Sequence, residues 1–246
     1  MLTVAQSRGR RGRGYHLLTP PNRYPSRLAG WQRTTVFKLA TPRTGTARFG
    51  QYLLDLEDGG GSAGAVGMDF EHFVLTLSGE PTLDGQPLAA GCYAYRPQGH
   101  GLELAGTAAG DEPDRVMWIK RRYEPAPGVD APAAITGRMD ALAAITSASG
   151  VRRRELLPSD DPAFDFTISL MTFPVASSLG QVEVHDEEHG LYMTRGSGTY
   201  HLDGDSHEVA AGDFIYMGPY CPQFFRPHGA GEAEYLLYKD VFRDGF

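Results

Sequence analysis

The chain carries the same punctuated pattern twice, and a repeat of that kind constrains the fold more than any single residue does. In the first half His72 stands seven residues before Gly79, and Gly91 is followed after five residues by Pro97-x-Gly99. In the second half His189 stands seven residues before Gly196, and Gly212 is followed at the same offset by Gly218-x-Tyr220. Between these points run short alternating segments, among them Phe73-Val74-Leu75-Thr76-Leu77, Leu191-Tyr192-Met193 and Phe214-Ile215-Tyr216-Met217. They have the length and pattern of strands with one buried face. Asp84-Gly85 and Asp203-Gly204 each lie between strand-like runs, where a two-residue hairpin turn demands positive φ. The pattern predicts an all-β protein of two tandem barrels with few short helices.

Boundaries follow from composition. Residues 1–30 read as an N-terminal arm, partly disordered, because the run RGRRGRG at Arg8 to Gly14 leads into a Pro-rich stretch. Residues 31–124 form the first barrel and residues 165–246 the second. Between them, 125–164 contains Pro125, Pro127, Pro132, Pro158 and Pro162 around Ala141-Leu142-Ala143-Ala144, and reads as a connector with one short helix.

At 246 residues with 41% hydrophobic content the chain has ample material for such cores. Its net charge of -7 gives no attraction to phosphate backbones, so no nucleic-acid partner is expected. No apolar stretch approaches the length of a membrane span and the N-terminus lacks the pattern of a secretory signal, so no membrane association is expected and a cytoplasmic location is. Only Cys92 and Cys221 are present, which fits a reducing compartment. Cys221 reads as a small buried side chain near the site. Exposed sheet edges and faces lead us to expect a homo-oligomer.

The chemistry concentrates in the second repeat. Glu183, His185, His189 and Gly196 stand at the spacings of the first motif of the cupin family, H-x-H, three or four residues, E, six residues, G; two of its three ligand types are exchanged. In the second motif the Pro, Gly and His places hold Gly218, Tyr220 and Gln223. The chain resembles cupins in this framework, and the substitutes still offer oxygen or imidazole nitrogen to a cation. Glu183 and His185 are two apart and project from one strand face, while Asp186-Glu187-Glu188 can turn the chain to bring His189 alongside. Two imidazoles, a carboxylate and an amide oxygen suit Mn(II), Fe(II) or Ni(II) in six-fold coordination with two positions left for substrate. The alternative reading of these residues is a polar surface strand. In the first repeat the ligand places fall on Val66, Met68, His72 and Leu102, which cannot hold a metal, so that barrel is expected to be metal-free and His72 to be a core or interface residue.

The E-x-H-x-x-x-H set with a late Gln, the segment Met217 to Gln223 and the ending Tyr235-Leu236-Leu237-Tyr238-Lys239-Asp240-Val241 resemble the (S)-ureidoglycine aminohydrolase family of bicupins. The resemblance runs through both halves, including Lys120-Arg121-Arg122-Tyr123, and does not cover residues 1–14. It implies Mn(II)-dependent hydrolysis of (S)-ureidoglycine, a small-molecule ureide of purine degradation downstream of allantoate, to (S)-ureidoglycolate and ammonia. It also implies substrate contacts at Glu183, Tyr200, Gln223, Tyr235 and Lys239, with Lys239 pairing with the substrate carboxylate. Glu183 then either carries the proton or serves only as a ligand. Two other functions remain open at this point: an Fe(II) dioxygenase acting on a small oxygenated substrate, and a non-catalytic small-molecule binder. His201, His207 and His228 are expected to be exposed, and Arg152-Arg153-Arg154 to be a solvated basic run.

Overall fold

A computed structural model describes residues 7–108, 110, 112–241 and 243. Among them there is no α-helix; two 3-10 turns, Pro20–Asn22 and Met139–Ala141, interrupt a protein otherwise made of strands. The backbone divides into two compact units, Tyr24–Ala141 and Met1–Arg23 with Leu142–Phe246.

The first unit is organised by the strand Phe49–Ser62, which pairs antiparallel with Trp31–Ala40 on one side and Asp114–Arg121 on the other. Beyond Asp114–Arg121 lie Glu71–Ser78, Cys92–Arg96 and finally Ile135–Arg138. Register shifts at Gln32/Thr34 and Lys38/Ala40 insert bulges that bend the sheet. The far end of Phe49–Ser62 then pairs with Leu104–Ala105, which in turn pairs with Thr82–Leu83. Inward positions fill the curl with Val36, Leu54, Val74, Leu104, Val116 and Trp118.

In the second unit one sheet runs in the order Arg10–Gly12, Tyr15–Leu18, Phe214–Met217, His189–Arg195, Ala233–Asp240, Phe166–Phe173, Arg152–Leu157, Ile145–Thr146, and a smaller one Asp205–Ala210, Ser197–Leu202, Gln223–His228. Leu191, Met193 and Tyr235 from the large sheet belong to the same buried cluster as Tyr200, Leu202 and Phe225 from the small one. The alternation that predicted half-buried strands therefore closes one core. Asp84-Gly85 (φ 52° and 73°) and Asp203-Gly204 (φ 48° and 87°) join their strand pairs through positive φ, as expected. The shared motif glycines Gly79 and Gly196 are also at positive φ, and a Cβ there would strike Asp114 and the Glu232 carbonyl.

Two boundaries differ from expectation. Within the arm, Arg10–Gly12 pairs with Tyr15–Leu18, and the latter pairs with Phe214–Met217 of the second unit. Arg8 grips the buried carboxylate of Asp213 through both guanidinium nitrogens, at 2.6 and 3.0 Å. Composition reads this segment as loose because its binding partner lies 205 residues away. The connector is likewise consumed from both ends: Ile135–Arg138 extends the first unit, and Ile145–Thr146 and Arg152–Leu157 extend the second. Its single short helical element, Met139–Ala141, lies where the two units divide. Arg152 pairs with Glu232 at 2.7 Å and Arg153 with Glu155 at 2.9 Å, so the basic run is more engaged than a solvated one.

Candidate metal and substrate site

Glu183 and Gln223 face one another across an isolated antiparallel bridge, exchanging backbone hydrogen bonds of 2.9 and 3.0 Å. Two residues on, His185 is held by its carbonyl, which accepts from the Tyr220 N–H at 2.7 Å. Tyr220 takes a left-handed conformation, φ 60°, at the place where the first barrel has Gly99. A bend at Asp186 then brings the chain round, and His189 opens a strand whose register sets it opposite Lys239 and Met217. The rings of His185 and His189 lie 4.8 Å apart between centroids.

The four side chains singled out by spacing are therefore neighbours. Glu183 Oε2 is 4.0 Å from His185 Nε2, and the Gln223 amide nitrogen donates to His185 Nε2 at 3.2 Å. Gln223 Oε1 accepts from the Tyr200 hydroxyl at 3.2 Å, and Tyr200 is hydrogen-bonded in turn to Tyr235. As they stand, these side chains do not enclose a common point: among the described residues no group of three His, Cys, Asp or Glu forms a cation-holding cluster. The half-exposed Glu183 stands off, and Gln223 presents its NH2 to His185 while its oxygen is engaged by Tyr200. Ligation through the Gln223 oxygen requires the amide to turn over, a rotation about one soft terminal torsion.

The donor chemistry nevertheless fits a divalent first-row ion. His189 is buried and its Nδ1 makes no hydrogen bond of full geometry, the Glu187 backbone offering the ring only a weaker contact, so a cation would supply a partner that the protein does not fully provide. Burial, with the charges of His185 and Lys239, holds the His189 pKa well below its ordinary value, which keeps the ring in the neutral form that ligates.

Around this group lie the expected substrate contacts. Tyr235 and Lys239 project from the same face of Ala233–Asp240, with Tyr235 buried and Lys239 half-exposed at the end of the strand. Burial pushes the Tyr200 and Tyr235 hydroxyls well above their usual pKa, reinforced by the nearby Glu183 charge. Lys239 Nζ is 2.9 Å from Glu187 Oε1, and Glu187 Oε2 is 2.9 Å from His185 Nδ1. Sequence reasoning read Glu187 as part of a turn and missed it; the available clue was a carboxylate two residues from a candidate ligand. Glu188 was passed over too: it is buried and accepts from the Tyr216 hydroxyl at 3.1 Å.

Cys221 is buried, and burial raises its thiol pKa to about 11, so it is no nucleophile at neutral pH. His201 and His228 are exposed, whereas His207 is half-buried, its Nε2 2.8 Å from the Tyr15 hydroxyl. A cleft of about 410 Å³ beside Gln223 is lined by Val182, His201, Pro222 and Phe224. His201 and Phe224 point away from Tyr200 and Gln223 along their strands, so this cleft is on the outer face and not among the converging polar groups.

Residues 169–238 match the model of the cupin domain. The chain is 33% identical over 238 residues to (S)-ureidoglycine aminohydrolase of Escherichia coli K12, covering 94% of this chain and 89% of the relative. It is 33% identical over 240 residues to the Arabidopsis thaliana protein of the same name, covering 94% and 77%. The crystal structure of protein Ylba from E. coli superposes with a TM-score of 0.84 at 30% identity, over 97% of this chain and 96% of that one. With identity and coverage of this extent, the chain belongs to the (S)-ureidoglycine aminohydrolase family, hydrolases built on the cupin barrel.

Proposed function

We propose that the protein converts (S)-ureidoglycine and water to (S)-ureidoglycolate and ammonia with the help of a divalent metal, Mn(II) or a neighbour such as Fe(II) or Ni(II). The reading places it in the breakdown of purine-derived ureides, downstream of allantoate. The observation that carries it is the convergence of Glu183, His185, His189 and Gln223 with Tyr200, Tyr235 and Lys239 in one barrel, in a chain that relatives of that name match over 94% of its length.

Glu183, His185, His189 and Gln223 would hold the ion, which supplies concentrated positive charge to orient and polarise the groups it binds. The substrate bears a carboxylate, an amine and a ureido group on one carbon. Lys239 pairs with the carboxylate: one of its three N–H groups is committed to Glu187, and the others remain for substrate. Tyr200 and Tyr235, kept protonated by burial, act as hydrogen-bond donors and not as bases. In the reaction a carbon–oxygen bond forms to water and the carbon–nitrogen bond to the amine breaks. The water gives up a proton and the leaving amine takes one. Glu183 is the carboxylate placed to carry it, accepting from water and returning it to nitrogen.

We further propose that the chain works as a homo-oligomer in the cytoplasm. The exposed apolar side chains Val182, Val184 and Tyr220 at the rim of the site support assembly, and two unpaired cysteines fit a reducing compartment. No helix among the described residues is long and apolar enough to cross a membrane.

The test is ammonia release from freshly generated (S)-ureidoglycine, with and without Mn(II), for the wild type and His185→Ala, following the chirality of the ureidoglycolate formed. Metal-dependent, stereospecific release that persists without O₂ and is lost in the variant is expected. Release no faster than the spontaneous reaction from metal-loaded protein contradicts the proposal.

A further inference from the structure

Glu187 lies between the two candidate ligands of the first motif and belongs to neither the ligand set nor the substrate contacts. Its carboxylate spans two functional groups: Oε1 is 2.9 Å from Lys239 Nζ and Oε2 is 2.9 Å from His185 Nδ1. The side chain is three-quarters buried, so this span is not a solvent-screened surface pairing. Opposite, His185 Nε2 accepts from the Gln223 amide and faces Glu183. A neutral imidazole that accepts at Nε2 carries its proton on Nδ1, and Nδ1 is the atom beside Glu187. Nδ1 is buried and the carboxylate lies off the line of its N–H, so the two are in close polar contact without the geometry of a full hydrogen bond.

We propose that Glu187 is a positioning residue that acts on both halves of the site: it holds His185 in the tautomer whose Nε2 is free to ligate, and holds Lys239 with its remaining N–H groups toward the substrate carboxylate. The part concerning metal affinity rests on the metal-site reading above; the part concerning the tautomer does not. Carboxylates on the far nitrogen of a ligating histidine fix ring orientation and raise ligand basicity, and losing one typically weakens metal binding about 10–100-fold.

Glutamine at this position separates the two roles. Lys239 only donates, so the amide oxygen of Glu187→Gln must face it, which turns the NH2 toward His185 Nδ1. Nδ1 is then forced to accept and the proton moves to Nε2, the wrong side for ligation. Alanine removes both contacts.

The experiment compares wild type, Glu187→Gln, Glu187→Ala, Glu187→Asp and His185→Ala, all checked for an unchanged thermal melt. Nitrogen NMR of the His185 ring in metal-free protein reads the tautomer, Mn(II) titration followed by EPR of the free ion reads affinity, and kinetics at saturating metal read KM. Expected for Glu187→Gln are a proton on Nε2, Mn(II) binding weaker by about 10–100-fold and a KM within about twofold of wild type. Glu187→Ala should share the weakened metal binding and raise KM as well, and Glu187→Asp should restore the tautomer in part. A Glu187→Gln protein with wild-type tautomer and wild-type Mn(II) affinity overturns the inference while leaving the metal site standing. A His185→Ala protein that binds Mn(II) as wild type does overturns the metal-site reading, and the ring NMR still decides whether Glu187 sets the tautomer.

Discussion

Val66 and Leu102 in the first barrel exchange backbone hydrogen bonds of 3.0 and 2.9 Å across an isolated bridge, and Glu183 and Gln223 in the second exchange theirs at 2.9 and 3.0 Å. The next contact repeats too: the Gly99 N–H donates to the Met68 carbonyl at 2.9 Å, as the Tyr220 N–H does to His185. His72 pairs in register with Lys120, as His189 does with Lys239. A buried Glu–Tyr hydrogen bond precedes each histidine, Glu71 with Tyr95 at 2.7 Å and Glu188 with Tyr216 at 3.1 Å. The backbone that presents the ligands therefore does not depend on the ligands.

What separates the barrels is how the shared pair is finished. In the first, Trp118 donates its indole N–H to His72 Nδ1 at 3.1 Å, and His72 Nε2 lies 3.0 Å from the Gly67 carbonyl, so both ring nitrogens are used. Lys120 sits over Trp118 and Phe70 at 4.7 Å from each ring centroid. In the second, the place two residues before the lysine is Leu237, which has no donor, and His189 Nδ1 makes no hydrogen bond of full geometry, the Glu187 backbone being a weaker contact of the ring. The exchange of Trp118 for Leu237 thus removes from the second barrel the donor that holds His72 in the first.

The comparison is tested most severely by converting the second barrel toward the first. Gln223→Leu recreates the Leu102 place; with the backbone bridge intact the fold should survive, while kcat/KM falls by at least about 10²–10³-fold, the scale of losing one electrostatic contact at a reacting centre. Circular dichroism with an ammonia assay checks both, and a folded variant with near-wild-type activity breaks the comparison.

The first barrel should respond to acid through His72. Burial lowers its pKa from 6.5 to about 4, with the Lys120 charge acting in the same direction and the Gly67 hydrogen bond opposing. The unfolded chain therefore takes up this proton first as pH falls. The stability is complete above about pH 6.5 and is lost toward pH 4, up to about 3 kcal/mol. Both tryptophans, Trp31 and Trp118, lie in this barrel, so their fluorescence follows its unfolding. His72→Gln, which keeps an acceptor for Trp118 and a donor for Gly67, should flatten that part of the pH profile; an unchanged profile would refute the assignment.

Smaller effects separate the units further. Arg8→Ala should destabilise the second barrel by about 1–2 kcal/mol, because it leaves the buried Asp213 carboxylate without its cation, the half-exposed arginine moderating the loss. A denaturant melt that does not move would show the arm to be loosely attached after all. Tyr220→Gly, copying Gly99, should change stability by less than about 1 kcal/mol, as relief of the left-handed conformation offsets the added chain entropy.

Much of this was legible in the sequence. The repeat offsets within each motif named the corresponding places, Val66 and Leu102 in the first half and Glu183 and Gln223 in the second, but not that each pair bridges, since 36 residues separate the partners in one half and 40 in the other. The two Asp-Gly turns were readable because positive φ selects glycine. Arg8 with Asp213 was not, since nothing local links residues so far apart, and the Pro-rich connector hid short edge strands that form only against a neighbouring sheet. Glu187 was hidden for another reason: a side chain that spans His185 and Lys239 depends on which way a bend turns, and an acidic run reads equally as a turn.

Equilibrium Mn(II) binding to the wild type and to the double variant Glu183→Val/Gln223→Leu tests the central claim most directly. One ion per wild-type chain is expected, with none held by the variant at the same concentration and its thermal melt in the absence of metal unchanged. A folded variant that still binds one ion per chain would contradict the assignment of the site to these side chains.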